Sequence, residues 1–242
     1  MDAGELLKQY AAAERDFPDV DLSGADLREA NLVGVNFRGA NLSGIDLREA
    51  RLGQAQLIKV NLSGANLSET ILWGTDLSEA NLHQAELREA DLSGAKLIHA
   101  QLAQTILTKA CLRGANLKGA NLSKAVLFAA DFRPSSEGQT NLESADLSGA
   151  NLSYANLSGA LLHRAKLNGA KLCRANLGGL GGYRFHQTDL SEASLEGADL
   201  SYADLSGVNL CKADFRGADL SRANWTNANL QGAIMPDGTI HE

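Results

Sequence analysis

The sequence predicts an all-β solenoid, in which short extended segments stack into a coil, and three regularities carry this prediction. First, a leucine recurs every five residues along most of the chain, and 36 of the 41 positions in this series are leucine. Second, alanine is the usual residue two places before each of these positions. Third, aspartate or asparagine directly precedes the leucine, and serine or arginine and then glycine or glutamate follow it. Each position of the leucine series is called a centre below.

The five-residue period decides between the regular structures. Alanine, leucine and glutamate favour helices, but five residues advance a helix by about 500°, so the leucines would form no stripe along it. A straight strand fails as well, because an odd repeat sends successive leucines to opposite faces. All leucines and alanines stay inside only if the chain turns a corner in each repeat and closes a coil after a few repeats. Asp, Asn and Gly suit such corners.

The chain divides into an N-terminal capping helix with its lead-in (1–19), the repeats (20–235) and a C-terminal cap (236–242). Asp2 and Glu5 fit a capping box at the start of a helix that we expect to extend to Asp16. The residues expected on its apolar side are Leu6, Leu7, Tyr10 and Phe17. In the C-terminal cap, a Pro-Asp-Gly turn can fold Ile240 back over the last coil.

Two interruptions of the period predict loops, at residues 133–140 and 178–188. Continuing the period through the first would place Glu137 at a centre and bury an unpaired carboxylate, at a cost on the order of several kcal/mol, so we expect this segment to bulge outward. In the second, the separation between Leu177 and Leu190 is not a multiple of five, so at least three residues must leave the coil. The alternative for the second segment is an irregular centre occupied by Phe185.

The repeated unit, A-(D/N)-L-x-x, resembles the consensus of the pentapeptide-repeat family from Val20 to Met235. This resemblance implies a right-handed quadrilateral β-helix, with four repeats in each coil. On that basis the repeats make about ten coils, or roughly 50 Å of rod at the spacing of neighbouring strands.

Composition and motifs exclude several classes of function. No apolar run is long enough for a membrane span, and the N-terminus lacks the basic and then apolar layout of a signal peptide, so we expect a cytoplasmic protein. Three widely spaced cysteines suggest neither a disulfide framework nor a metal site, and the five histidines form no metal-spaced set. There is no nucleophile motif, phosphate loop or dinucleotide fingerprint. The sequence therefore predicts a protein that is not an enzyme and has no cofactor, metal or small-molecule substrate.

The net charge of −7 conceals three bands of charge. Residues 1–92 carry a net charge of −8, residues 93–188 carry +7, and residues 189–242 carry −6. A mimic of duplex DNA should be acidic along most of its length, so the basic band argues against that role. The band is also too short to form a broad nucleic-acid-binding face. We expect no direct binding to nucleic acid and none to membranes.

A few outward positions of the repeat are unexpectedly apolar. Trp73 occupies a position that is usually serine or arginine, and exposed apolar clusters tend to mark contact sites. The candidate partner-binding residues are Ile71, Trp73, Ile98, Ile106, Val126, Phe128 and Arg133. The alternative is that Trp73 and Phe128 only pack against neighbouring side chains on the surface. Two charged ladders, which start at Arg28 and Glu29, favour solubility over recognition.

Individual segments, among them ILWG at residues 71–74 and LFAADFRPSS at residues 127–136, resemble a cyanobacterial branch of the family that regulates heterocyst differentiation. This resemblance implies a non-enzymatic protein that binds the HetR-type transcription regulator and counters its inhibition by a PatS-type peptide. The alternative is another branch, the DNA mimics that bind and protect type II topoisomerases such as DNA gyrase. A third possibility, an inert scaffold, predicts no contact patch at all.

Overall fold

The computed structural model describes residues 1–179 and 187–242, and over these residues it contains one helix, α1 (Ala3–Ala11), followed by a long stack of coils. Asp2 caps α1, because its side chain accepts a hydrogen bond from the backbone N–H of Glu5 at 2.8 Å. The helix ends short of the expected limit at Asp16, since Ala13 turns the chain with a left-handed φ of 71°.

Only one of the two adjacent leucines of α1 faces the coils. Leu6 is fully buried, and Tyr10, one turn later, packs partly against the core. Leu7 is 40% exposed, so the expectation that it shares the apolar side was wrong. Adjacent residues of a helix point about 100° apart, and Leu6 alone faces inward. Phe17 is buried as the first centre of the repeats, not as part of the helix.

Each repeat contributes one bridge residue, and successive coils pair in parallel through residues that are 20 positions apart in regular stretches. Asp46 and Asn66 form one such bridge. The N–H of Leu47 donates to the carbonyl of Asn66 at 2.8 Å, and the N–H of Asn66 donates to the carbonyl of Ile45 at 2.9 Å. One coil therefore contains four five-residue repeats, and the chain is a β-helix, as the sequence predicts.

The interior consists mainly of the centres and the alanines that precede them. The largest fully buried side chains are Phe37, Phe132 and Phe215. Each buried leucine contributes on the order of 2 kcal/mol relative to an exposed one. The centres Leu220, Trp225 and Leu230 are only partly buried, because they belong to the last coil of the stack.

The outward turn of each repeat explains its polar residues. The position two residues after a centre, called the corner position below, has a positive φ in the regular repeats, for example 64° at Gly64 and 59° at Glu69. Glycine adopts this conformation freely, which explains its frequency there. The aspartate or asparagine before the centre stabilises the turn: the side chain of Asn61 accepts a hydrogen bond from the N–H of Ser63 at 3.2 Å.

Equivalent residues of successive coils stack into four columns, numbered here by their first centres. Column 1 begins at Phe17, column 2 at Leu22, column 3 at Leu27 and column 4 at Leu32. Columns 3 and 4 are therefore neighbours around the coil, whereas columns 1 and 3 are two repeats apart.

The first break, at residues 133–140, adds five residues to one coil. Asn116 bridges Asn141, whereas the regular spacing would pair it with Ser136. The chain leaves the coil as a short hairpin with an antiparallel bridge between Ser135 and Gly138, and Glu137 is exposed there. Thr140 then occupies the buried alanine position, and its hydroxyl donates to the carbonyl of Leu112 at 3.0 Å.

The second break adds eight residues to another coil, because Leu161 bridges Asp189, eight places beyond the regular spacing. Residues 180–186 lie outside the described residues, and so does Phe185, the alternative irregular centre. Thr188 is described and lies in the buried alanine position, as Thr140 does at the first break.

The C-terminal segment folds back on the last coil. The N–H of Met235 donates to the carbonyl of Thr239 at 2.7 Å, and Ile234 forms an antiparallel bridge with Ile240. The Pro-Asp-Gly turn thus reverses the chain as expected. The side chain of Ile240 is 69% exposed, however, so the backbone pairing and not this side chain covers the coil.

Candidate protein-binding surface

The structure places the seven predicted contact residues on three columns. Column 3 carries Ile106, Val126 and Phe128; column 4 carries Ile71, Trp73 and Arg133; and column 1 carries Ile98. Columns 3 and 4 adjoin, so six of the seven residues lie on neighbouring sides of the coil. Ile98 lies two repeats away from column 3 and is separated from the apolar residues of that column.

The residues of column 3 form an apolar step. Ile106 and Val126 are half-buried and bridge each other directly in successive coils. Phe128 is 38% exposed beside them, and its ring centroid lies 5.4 Å from that of Tyr154 in the next coil. Such tilted aromatic pairs contribute about 0.5–1.5 kcal/mol beyond the area that they bury.

Trp73 lies flat over a glycine of the preceding coil. A Cβ atom added to Gly53 would stand only 2.5 Å from Nε1 of the indole, and Gly53 is buried although it occupies an outward position. Trp73 itself remains 42% exposed. One face of the indole therefore packs on the rod and the rest is exposed, so the surface packing is observed and the contact role of Trp73 stays a prediction.

A groove of about 480 Å³ separates Trp73 from the first break. Its floor includes Asp91 and Gly94 of column 4, with Lys96 at its edge. Ser135 and Glu137 of the hairpin form the wall that faces Trp73. The hairpin thus folds back along column 4, over coils that precede it in the stack.

Arg133 is held at the base of this hairpin by a carboxylate. Its Nε donates to Oδ1 of Asp131 at 2.9 Å, and its Nη2 donates to Oδ2 at 2.8 Å. Burial alone would raise the pKa of Asp131, but the hydrogen bonds from Arg133 outweigh burial and hold this pKa below its usual value. The same Asp-x-Arg chelate occurs at Asp26 with Arg28 and at Asp214 with Arg216. Arg133 therefore has a structural role whether or not a partner contacts it.

The charged ladder of column 3 contains the same kind of bidentate Asp–Arg ion pair. The hydrogen bond from Arg28 lowers the pKa of Asp26 to about 2, and Arg48 lowers the pKa of Asp46 in the same way. Both pairs are largely exposed, and exposed ion pairs contribute little to stability because solvent screens them. That these pairs keep the rod soluble stays a prediction.

Sequence reasoning missed a second set of exposed aromatic residues. Tyr154 and Tyr202 are 51% and 47% exposed and stack in column 3 with Arg174 between them. The guanidinium carbon of Arg174 lies 5.8 Å from the centroid of Tyr154 and 5.3 Å from that of Tyr202, and Arg222 lies 5.4 Å beyond Tyr202. Counting every 20 residues along the sequence does not reveal this ladder, because neighbours in a column are more than 20 residues apart where a break lies between them.

The described residues offer contact surfaces and little reactive chemistry. No group of three or more His, Cys, Asp or Glu side chains among them could hold a metal ion. Cys111, Cys173 and Cys211 are free thiols, and burial raises the pKa of Cys111, which disfavours its reactive thiolate. Within the same described ranges, no helix is long and apolar enough to cross a membrane.

Comparison with known proteins relates the repeats to one family. The family described as Pentapeptide repeats matches the chain in eight copies, over residues 16–54, 45–84, 55–94, 85–123, 140–179, 184–217 and 212–237. No curated protein matches the chain.

Three solved structures are similar to this chain to different degrees. HetL, a pentapeptide repeat protein involved in heterocyst differentiation regulation from the cyanobacterium Nostoc sp. strain PCC 7120, is 53% identical over 100% of both chains, with a TM-score of 0.85. Rfr23 from the cyanobacterium Cyanothece 51142 is 29% identical over 49% of this chain and 94% of its own, with a TM-score of 0.34. QnrB1, a plasmid-mediated fluoroquinolone resistance protein, is 19% identical over 88% of this chain and 89% of its own, with a TM-score of 0.32. With family repeats matched from residue 16 to residue 237 and a relative this similar over its full length, the chain belongs to the pentapeptide-repeat family.

Proposed function

We propose that this chain is a non-enzymatic regulator of heterocyst differentiation that binds a HetR-type transcription regulator and counters its inhibition by a PatS-type peptide. The observation that carries the proposal is the 53% identity to HetL over the full length of both chains. HetL is described as involved in heterocyst differentiation regulation, and the proposal extends that role to this chain. The expected cytoplasmic location is part of the same proposal, since a transcription regulator acts there.

The contact surface that we propose is the apolar step of column 3 together with the groove of column 4. Phe128 and Trp73 are the exposed aromatic residues of these two regions, and aromatic side chains dominate binding hot spots. A partner that covers both columns would bury Ile106, Val126 and the hairpin that carries Arg133 in the same interface. Ile98 would lie outside it: column 1 adjoins column 4 but not column 3, and Ile98 is not among the residues that line the groove, whose edge on column 1 is Lys96.

The test is to measure binding of the purified protein to a HetR-type regulator by titration calorimetry, with Trp73→Ala and Phe128→Ala. Removal of a central aromatic anchor typically costs about 2 kcal/mol or more, so each variant should bind roughly 30-fold more weakly. Ile98→Ala is the matched control and should bind as the parent does. Circular dichroism establishes that all three variants keep the fold.

Two results would contradict this proposal. If the parent does not bind the regulator but protects DNA gyrase in a supercoiling assay, the alternative function replaces it. If the parent binds and Ile98→Ala weakens binding while Trp73→Ala and Phe128→Ala do not, the contact surface is wrong although the partner is right.

The finer geometry of the coil is also proposed here. The presence of four repeats in each coil supports a quadrilateral cross-section, and membership of the family supports a right-handed turn. A crystal structure of this chain would test both.

A further inference from the structure

The corner positions of column 3 differ from those of the other columns. Glycine is the residue that adopts the positive φ of a corner without strain, and column 2 places Gly24, Gly44 and Gly64 there in succession. Column 3 has no glycine at any of its ten corners, although all ten have a positive φ. They are Glu29, Glu49, Glu69, Glu89, Lys109, Ala129, Tyr154, Arg174, Tyr202 and Arg222.

This choice has a conformational cost. A residue with a Cβ atom is strained in the left-handed region, whereas glycine is not. Column 3 accepts this cost in ten successive coils, and the result is one continuous row of side chains along an edge of the rod. We call this row the corner row. Column 1 also has few glycines at its corners, among them Gly39 and Gly119, but column 3 alone has none, and this favours a function for the side chains that it displays.

The corner row changes character along the rod. Its first four members are glutamates, its middle lies beside the apolar step of Ile106 and Val126, and its last four alternate between tyrosine and arginine. Of the four glutamates, only Glu89 has an ion-pair partner among the described residues, Lys109 at 3.0 Å. Arg174 and Arg222 take part in none of the ion pairs of the described residues.

We propose that the corner row of column 3 is a self-association surface, on which a second copy of this chain docks antiparallel. A twofold axis that runs across column 3, perpendicular to the rod, reverses the direction of the rod but keeps each corner row facing its counterpart. An interface of this kind is isologous, so every contact occurs twice. The charge pattern fits this operation, because the acidic half of one copy lies against the tyrosine and arginine half of the other.

The pairing follows from the order of the coils. With the axis between the fifth and sixth coils, Glu69 lies opposite Arg174 of the second copy, and Glu29 lies opposite Arg222. Glu49 and Glu89 then face tyrosine hydroxyls, which can donate hydrogen bonds to them. At the axis itself, the half-buried Ile106 faces Val126 of the second copy, so the centre of the interface is apolar and its ends are charged.

Counted along column 3, the third coil of one copy and the eighth coil of the other attract each other most strongly. In the eighth coil, Lys171 and Arg174 both project from column 3, whereas the third coil offers Asn66 and Glu69. Two like-charged approaches oppose this attraction, Asp26 to Asp219 and Asp46 to Asp199 of the second copy, and Arg28 neutralises Asp26 at 2.7 Å. Asp46 is already neutralised by Arg48, at 2.6 Å, which limits this repulsion.

The available area indicates a modest affinity. Ten coils at about 4.8 Å give a face about 48 Å long, and the outward part of a repeat is roughly 10 Å wide. Two such faces bury roughly 1,000 Å² in total, near the lower limit for a specific interface. We therefore expect a reversible dimer with a dissociation constant on the order of 10 µM, weakened by salt because charged pairs steer it.

The test is sedimentation equilibrium of the full chain with two charge reversals, Glu69→Arg and Arg174→Glu. Both residues already occupy the same backbone conformation, with φ 59° and φ 56°, so each replaces the other without new strain. Each variant alone should dimerise at least about tenfold more weakly than the parent, because two like-charged pairs replace two opposite ones. An equimolar mixture of the two should recover dimers, since every Glu69–Arg174 contact is then again between opposite charges.

Glu79→Arg is the matched control, because it makes the same change at a corner of column 1, with φ 59°. It should dimerise as the parent does. The proposal is overturned if the parent is monomeric well above the expected dissociation constant. It is equally overturned if the two reversals dimerise as the parent does, or if their mixture recovers no dimer while circular dichroism shows both folded.

The self-association proposal does not rest on the regulator. The two proposals share Phe128 and the apolar step, so a bound regulator would displace the second copy from column 3. Trp73→Ala separates them: it should weaken binding to the regulator and leave dimerisation unchanged, because Trp73 lies on column 4.

Discussion

Trp73 shows how a single residue reaches the surface without any change in the regular backbone. Its position in the repeat is the same as that of Ser63 or Ser93, and the neighbouring hydrogen bonds are regular. What differs is Gly53 in the coil below, which leaves room for the indole. The sequence identified Trp73 as an exception but not its support, because Gly53 becomes its neighbour only through the stacking of coils.

The pairing of Trp73 with Gly53 predicts the effect of one methyl group. In Gly53→Ala the new Cβ would stand 2.5 Å from the indole Nε1, so the ring must lift away from the rod. The backbone of Gly53 needs no positive φ, and the unfolding free energy should change by no more than about 0.5 kcal/mol. In a Trp225→Phe background, the fluorescence of Trp73 should shift to longer wavelength and be quenched more strongly by iodide. Ser63→Ala, at the same position of column 2, should leave both unchanged, and an unaltered emission in Gly53→Ala would contradict the packing described.

At the scale of elements, both breaks end with the same device. The first break closes with Gln139 and Thr140 and the second with Gln187 and Thr188. In each, the threonine hydroxyl accepts a hydrogen bond from the N–H of a glycine in the preceding coil. Thr140 accepts from Gly114 at 2.9 Å, and Thr188 accepts from Gly159 at 2.8 Å. The glutamine amides donate to the carbonyls of Gly159 and Gly207, both at 2.7 Å. At the first break the hydroxyl of Thr140 supplements the carbonyl of Arg133, which lies 3.2 Å from the same N–H, whereas Thr188 is the acceptor of the N–H of Gly159 within the described residues.

Thr188→Val tests the hydrogen bond at the second break. The hydroxyl of Thr188 is the acceptor for the buried N–H of Gly159, which has no other acceptor within residues 1–179 and 187–242. Valine keeps the shape and removes the acceptor, so we expect a loss of about 1–3 kcal/mol in the free energy of unfolding, measured by guanidinium denaturation.

Thr75→Val is the matched control for this change. The hydroxyl of Thr75 only donates, to the carbonyl of Leu52 at 2.8 Å, and that carbonyl also accepts the N–H of Ala55. No buried group loses its only partner, so the cost should be clearly smaller than for Thr188→Val. Equal costs would show that the hydroxyl of Thr188 is not needed to close the break.

The sequence predicted the elements that repeat and not those that depend on the breaks. The period of five gives the coil, its interior and the outward position of Trp73 from local reasoning alone. It does not show that Tyr154 stacks on Phe128, because that contact depends on how many residues the first break removes from the coil. The helix was overextended for a related reason: Phe17 looks like a helical apolar residue but is the first centre of the stack.

At the scale of the whole molecule, the rod behaves as a one-dimensional stack in which each coil contacts only its neighbours. Middle coils have a neighbour on both sides, and their centres are fully buried, whereas Leu230 in the last coil is only partly buried. Stability should therefore decrease toward the C-terminal end of the stack.

Leu97→Ala and Leu230→Ala compare the two situations. Leu97 is fully buried in the middle of the rod, and its truncation should cost about 3 kcal/mol from lost transfer energy and the cavity left behind. Leu230 is partly exposed, and its truncation should cost less than half as much. Guanidinium denaturation followed by circular dichroism measures both, and a larger cost at Leu230 would contradict the expected gradient.

The hairpin within residues 133–140 keeps the five added residues out of the stacked coils, and this has an evolutionary consequence. If those five residues formed one more ordinary repeat of the coil, every later residue would lie one column further around the axis. Tyr154 would then have left Phe128, and the tyrosine and arginine ladder would have been turned away from the glutamates. The hairpin therefore determines which side of the coil each residue of the C-terminal half occupies. Relatives that gain or lose a repeat there would present the same side chains in a different direction, so surfaces within this family should be compared by column and not by repeat number.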